Sequence, residues 1–180
     1  MITLYGIEWS RAKYVLFTLT ELNLDFQHVK INPFGEEKHA PEYLRLNPLG
    51  QVPTLVDGDF VLTEAMAINF YLARKYAPEK LWVDRLEDEA LLYKWTFFAI
   101  TQLESASVDL ILHRKVFDEK ARDINVVQAA EQKLIKPLKV LNDYLEGKDF
   151  LVANQFTVAD INLAGVLSYA QGGEYDFFPF

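Results

Sequence analysis

Apolar positions divide the chain into two stretches of different rhythm. Ile2 to Tyr5 is a short apolar run closed by Gly6, and it predicts a strand. Ala12, Val15, Leu16, Leu19 and Leu22 then recur every three or four residues, the single apolar face of a helix. Residues 24–31 alternate, with Leu24 and Phe26 in one register and Val29 and Ile31 in the other, which predicts a second strand. Asn32-Pro33 and Gly35 open a polar loop, and 41–46 can form one or two helical turns before Asn47-Pro48-Leu49-Gly50. Residues 52–56 read as a strand, Asp57-Gly58 as the hairpin dipeptide and 60–62 as the returning strand. Thr63 is suited to cap a helix whose apolar face includes Met66, Ile68, Phe70, Tyr71 and Leu72. The first 76 residues therefore read β-α-β-α-β-β-α.

Beyond Ala77 only helical periodicity remains. Residues 86–116 and 118–145 predict two long helices, the second kinked or restarted at Pro137, which lacks a backbone donor. A third helix begins at Thr157, where Thr157 and Asp160 form a capping box and Phe156 and Ile161 stand at staple spacing. The reading is an α/β domain over 1–76, a linker over 77–86 and an all-helical domain over 87–180.

Composition narrows the chemistry. The 180 residues are 51% hydrophobic and carry a formal charge of −8, so a real core is available. That charge argues against a nucleic-acid groove or an anionic membrane surface. With no cysteine, disulfides, thiolate metal sites and a protein-borne cysteine nucleophile are all excluded. Any thiol chemistry must use a thiol brought from outside. No basic leader with a cleavage site opens the chain, and no run approaches the about 18 apolar residues of a membrane span. A soluble, cytoplasmic protein is expected.

The βαβαββα order, with Asn47-Pro48-Leu49-Gly50-Gln51-Val52-Pro53-Thr54-Leu55 entering the third strand and Thr63-Glu64-Ala65 opening a helix, resembles the soluble glutathione transferases. Phe156-Thr157-Val158-Ala159-Asp160 is similar to that family's late capping motif. The resemblance spans essentially the whole chain and implies a thioredoxin-like first domain, a helical second domain, glutathione as co-substrate and a homodimer. It also implies a cis Val52-Pro53 bond, with Val52 presenting its own N–H and C=O to the cysteinyl backbone of glutathione as an added strand would. Glu64 would take the γ-glutamyl ammonium and the N–H of Ala65 the γ-glutamyl carboxylate. Gln51 would reach the same tripeptide, and Lys38 or His39 its glycyl carboxylate. Ala65 departs from the family, which usually has a hydroxyl residue there. Read without the motif, Glu64 is a first-turn acid serving the helix dipole.

The group that activates the thiol follows the first strand in this family. Here that loop is Gly6-Ile7-Glu8-Trp9-Ser10-Arg11. Tyr5 stands at the strand end, but Ser10 and Arg11 are the favoured pair, acting with backbone donors. Ser10 is equally placed to cap the helix, and its one oxygen cannot fill both roles. Ser10-Arg11-Ala12 in a short loop looks most like the chi class of cyanobacteria, with which isothiocyanate conjugation is associated. Trp9, Phe97, Thr101, Glu104 and Ser105 are the candidate electrophile pocket, the last four at helical spacing. The sequence ends at 172–180, where most members of the family continue into another helix; if that end is natural an open, tolerant pocket is expected, and otherwise part of the lid lies beyond it. Glutathione-dependent isomerisation or peroxide reduction, and a non-catalytic binding module on the same fold, are the alternatives.

Overall fold

In the computed structural model, which describes residues 1–178, the chain divides into two compact units, Met1–Trp82 and Val83–Phe180. Pro179 and Phe180 of the predicted C-terminal stretch lie outside the described residues.

The first unit is built on a four-stranded sheet ordered β2-β1-β3-β4. Strand β1 (Ile2–Tyr5) runs parallel to β2 (Phe26–Val29) and antiparallel to β3 (Thr54–Asp57), which pairs antiparallel with β4 (Phe60–Thr63). Leu4 and Leu55, opposite each other in the register, are fully buried at its centre. Helix α1 (Ala12–Glu21) lies between β1 and β2, and the short α2 (Pro41–Leu46) precedes β3. Helix α3 (Ala65–Tyr76) packs on α1, and α4 (Pro78–Leu81) ends the unit. Ala12, Val15 and Leu19 of α1 and Ile68 and Leu72 of α3 are buried, as their spacing predicts. Asn69 donates to the Tyr14 carbonyl at 3.2 Å and ties the two helices together.

Several boundaries differ from the pattern. Leu24 donates to the Leu19 carbonyl and belongs to the turn leaving α1, so β2 starts at Phe26. Val52 and Pro53 stand outside β3, whose ladder opens at Thr54, the first position after a residue with no N–H to give. Asp57 is the last residue of β3, and Gly58-Asp59 form the hairpin loop. Thr63 ends β4 and does not cap α3; Glu64 holds that position.

Asp57 stitches the hairpin to α3. Its Oδ2 accepts hydrogen bonds from Lys75 (2.6 Å), Tyr76 (2.6 Å) and Tyr71 (2.8 Å). Burial works against the charged carboxylate, but the donors outweigh it and hold the pKa at about 2 instead of 3.8. A depressed carboxyl pKa contributes stability that is complete above the unfolded value and disappears as pH falls through the folded one. Asp57→Asn is expected to cost about 2 kcal/mol at neutral pH, converting the shift at 1.36 kcal/mol per unit. The deficit should shrink as pH falls from about 4 towards 2, in urea titrations of both proteins. An equal loss at both ends of that range would show that the carboxylate charge is not what stabilises the hairpin.

The second unit is helical. Helix α5 (Leu86–Phe98) continues through a π-helical segment (Ala99–Glu104) into α6 (Ser105–Ile111) and a second π segment (Leu112–Val116). The predicted long helix is therefore present but wound at two periods. Asp118 does not start the next helix. A 3₁₀ turn covers Glu119–Ala121, and α7 (Ile124–Leu145) is capped by Asp123, whose carboxylate accepts the Asn125 N–H at 2.8 Å. Helix α7 passes through Pro137 without restarting. Pro137 is buried there with Leu134, Leu138 and Leu141, packing that offsets the missing bond.

Helix α8 (Val158–Gly172) packs against α5, α6 and the first π segment, with Val158, Ala159, Val166 and Ala170 fully buried. Its capping box is present as expected. Asn162 donates to Thr96 at 3.1 Å inside the unit, and Arg114 donates to the carbonyls of Gly173 and Glu174 as α8 ends. Phe156 packs edge-on against Phe150, their centroids 6.0 Å apart. Among the described residues, no helix is long and apolar enough to cross a membrane.

Candidate active site

Three loops of the first unit build the site. The β1–α1 loop leaves the sheet at Gly6, whose N–H donates to Val29 at 3.0 Å. Its φ of +137° suits only glycine, and a Cβ there would stand 2.6 Å from that of Ala12. The second loop carries Asn47 to Pro53, and the Val52-Pro53 bond is cis. The third is the β4–α3 junction, where Glu64 has φ +68° and ψ 110°, a conformation costly for a residue with a Cβ.

A small pocket, about 330 Å³ with its open mouth, lies where these loops meet. Arg11, Gln51, Val52, Pro53, Glu64 and Ala65 line it, joined by Asn47, Leu49 and Thr63. Six of the sequence-selected residues are thus brought together. Among the described residues no hydrogen bond holds the Val52 N–H or C=O, and no side chain caps α3. The first N–H groups of α3 and the main-chain groups of Val52 therefore remain available beside the exposed carboxylate of Glu64. An acid, a helix start and a peptide edge suit a zwitterionic peptide ligand with an extended backbone.

Other candidates fall elsewhere. Lys38 and His39 sit in the 3₁₀ turn Glu36–His39 and do not line the pocket; the Lys38 ammonium donates to the Pro33 carbonyl at 2.7 Å. Ser10 is buried and also outside the lining. Its hydroxyl donates to the Ile7 carbonyl at 2.7 Å and accepts the Ala12 N–H at 3.2 Å. Both bonds lie in the turn that leads into α1. Tyr5 stacks near Tyr43, their centroids 5.7 Å apart.

Trp9 is exposed in the β1–α1 loop of the first unit. In the second unit Phe97, Thr101 and Ser105 are exposed, whereas Glu104 is buried. The four do not form one uniformly exposed stripe. Positions 99–104 are wound at π pitch, so a 3.6-residue count misplaces whatever follows. Thr101 donates to the Phe97 carbonyl at 2.8 Å.

Sequence reasoning passed over Asn47, Leu49 and Thr63 as site residues. The first two lie inside the quoted Asn-Pro-Leu-Gly-Gln-Val-Pro run, so a signal existed. Thr63 reads as a helix cap, and nothing in its spacing points to the pocket.

Comparison with known proteins agrees with this geometry. Residues 1–74 match the family description "Glutathione S-transferase, N-terminal domain", and residues 90–177 match "Glutathione S-transferase, C-terminal domain". Glutathione S-transferase 3 of Zea mays is 34% identical over 167 residues, covering 91% of this chain and 75% of the relative. Glutathione transferase F2 of Populus trichocarpa superposes with a TM-score of 0.85 at 27% identity, over 94% of this chain and 81% of that one. A theta class enzyme of Xanthomonas axonopodis pv. citri, solved with glutathione bound, gives 0.84 at 29% identity, over 90% and 78%. The chain belongs to the glutathione S-transferase family, as a glutathione-dependent transferase.

Proposed function

We propose that the protein binds glutathione in the Arg11–Glu64 pocket and activates its thiol for attack on small hydrophobic electrophiles, isothiocyanates among them. In that reaction the thiolate sulfur bonds to the central carbon of the isothiocyanate, and the nitrogen takes up a proton to give a dithiocarbamate. The observation that supports this reading is the convergence of Gln51, Val52, Pro53, Glu64 and Ala65 on one pocket with Arg11. Glu64 takes the γ-glutamyl ammonium, the α3 N-terminus the adjoining carboxylate, and Val52 the cysteinyl main chain. Lys38 or His39 serves the glycyl carboxylate only if the bound tripeptide reaches beyond the lining residues. Trp9, Phe97, Thr101, Glu104 and Ser105 are proposed for the electrophile, and the active form is proposed as a homodimer in the cytoplasm.

A free thiol has a pKa of about 8.5, so an enzyme gains rate at neutral pH by favouring the thiolate. Arg11 offers a positive charge to the pocket for that purpose. Ser10, its proton given to Ile7, supports the loop that carries Arg11. We assign the chain to the chi class on the Ser10-Arg11-Ala12 run of its short loop, where no tyrosine, serine or cysteine has a clear assignment to the sulfur.

The test is the rate of isothiocyanate conjugation across pH. A protein-dependent rate should rise with an apparent pKa well below that of free glutathione. Arg11→Met should lower kcat/KM about tenfold, the worth of one charge-assisted hydrogen bond. Ser10→Ala should cost about 1 kcal/mol of stability and change the rate less. A larger rate loss in Ser10→Ala than in Arg11→Met would return the thiol to the serine hydroxyl. The non-catalytic reading draws support from Ala65, which has no hydroxyl to offer the ligand. Glutathione binding without any conjugation above background would favour it.

A further inference from the structure

The segment that carries the peptide edge is not held by the sheet. Among the described residues no backbone–backbone hydrogen bond fixes Gln51 or Val52, and the β3 ladder starts only at Thr54. The segment is gripped from behind by side chains of α2 and its exit turn. Tyr43 donates through its hydroxyl to the Gln51 carbonyl at 2.5 Å, and Asn47 donates through Nδ2 to the same oxygen at 2.7 Å. Both groups also reach Thr54 Oγ1, at 3.0 and 3.2 Å.

The donor count settles the direction of every bond. Tyr43 has one proton, which goes to Gln51, so its oxygen must accept from the Thr54 hydroxyl. Thr54 in turn accepts the second amide proton of Asn47. The Asn47 Oδ1 accepts the Leu49 N–H at 3.2 Å, which fixes the orientation of the amide. The bonds close a ring in which each side-chain proton has an acceptor, and the Gln51 carbonyl uses both lone pairs. Tyr43 and Asn47 are each 3% exposed and Thr54 is fully buried, so the ring is shielded from water on its Thr54 side, while Gln51 is exposed. Burial also pushes the Tyr43 phenol above its usual pKa, and the donor persists at any physiological pH.

We propose that Tyr43, acting with Asn47, is a positioning residue for glutathione: by clamping the Gln51 carbonyl it fixes the direction in which the Gln51 side chain and the Val52 main chain face the ligand. Tyr43 itself lies outside the pocket lining. The inference rests on the glutathione-binding role proposed for Gln51 and Val52.

Two near-isosteric variants separate positioning from support. Tyr43→Phe removes one of the two bonds on the Gln51 carbonyl, whereas Thr54→Val leaves both and breaks only the far side of the ring. Each deletes two of the ring's hydrogen bonds, so both should lower the melting temperature. Tyr43→Phe should raise the KM for glutathione about tenfold, with kcat reduced less than twofold. Thr54→Val should change that KM less than twofold. If Tyr43→Phe does not fold, Asn47→Asp removes the other donor on Gln51 while keeping the Leu49 contact, and should raise the same KM by a similar factor. Equal glutathione KM in wild type and in whichever of these folds, or equal increases in Tyr43→Phe and Thr54→Val, would overturn the positioning role. Titration calorimetry of the wild type with glutathione distinguishes the deeper failure: no binding at all removes the Gln51–Val52 reading and this inference with it.

Discussion

Glu64→Gly should weaken glutathione binding about tenfold to a hundredfold and at the same time raise the melting temperature. The loss of affinity comes from the carboxylate, whose charge-assisted bond to an ammonium is worth about 1.5–3 kcal/mol. The gain in stability comes from the backbone. At φ +68° and ψ 110° a residue with a Cβ stores about 1–3 kcal/mol of strain, which glycine does not. The looser unfolded chain returns up to about 1 kcal/mol of that, leaving a net gain of about 1 kcal/mol, or about 2–4 °C for a chain this size. Glu64→Ala separates the two effects, because it deletes the carboxylate and keeps the strain. Its affinity should fall as far as that of the glycine variant, with no rise in melting temperature. Calorimetric titration with glutathione and a thermal melt of each variant suffice. Unchanged affinity in both would remove Glu64 from the ligand. A glycine variant less stable than wild type would show that the conformation is not strained.

The opposite signs explain why this residue was only half legible in the sequence. The role proposed for it comes from the resemblance, since position alone reads Glu64 as a first-turn acid and only Gln51-Val52-Pro53 upstream turns it towards the ligand. Its conformation could not be read at all. Thr63 is the better cap by propensity, yet Thr63 pairs with Thr54 at the end of β4, and the helix start shifts one residue on. The elements with one buried face were legible for a simple reason: Ile2 and Leu4, or Val15 and Leu19, repeat at the period of the structure that buries them. That logic fails where the period itself changes, as at Ala99–Glu104, since no residue type signals a π turn. It fails for Pro137 too, because a buried proline can pack well enough for α7 to continue past it. Ser10 shows a third limit. Sequence offered it two partners, and only the fold decides that Ile7 and Ala12 use the oxygen. The Tyr43–Asn47–Thr54 ring was invisible for a related reason, since its members read separately as a helix aromatic, a turn asparagine and a strand threonine.

Asp160→Ala is expected to be the most damaging of these substitutions to the fold, with a loss of about 4 kcal/mol from the helical unit. The Asp160 carboxylate accepts the Thr157 N–H at 2.8 Å and the Thr157 hydroxyl at 2.9 Å through Oδ2, and the Leu151 N–H at 2.9 Å through Oδ1. It therefore caps α8 and ties the preceding loop to it in a single group. Thr157 is fully buried and Leu151 is 2% exposed, so water does not readily replace the lost acceptor. Each buried donor left without a partner costs about 1–3 kcal/mol, and a lost cap alone costs about 1 kcal/mol. Against a total of about 5–15 kcal/mol for a folded domain, such a loss approaches unfolding. Thr157→Ala leaves the two N–H bonds to the carboxylate in place but loses the hydroxyl that bonds it and that caps the Asp160 N–H, so it should cost about half as much. Trp95 makes the measurement local: it is buried in this unit with its ring 4.3 Å from that of Tyr144, and its emission follows the packing of α5 against α7. Urea unfolding of a Trp9→Phe, Trp82→Phe background, with and without Asp160→Ala, would report the helical unit alone. A shift worth less than about 1 kcal/mol would mean that the loop around Leu151 rearranges to satisfy its own donors. A full shift, with Thr157→Ala at about half of it, would identify the carboxylate as the joint on which α8 and the loop before it depend.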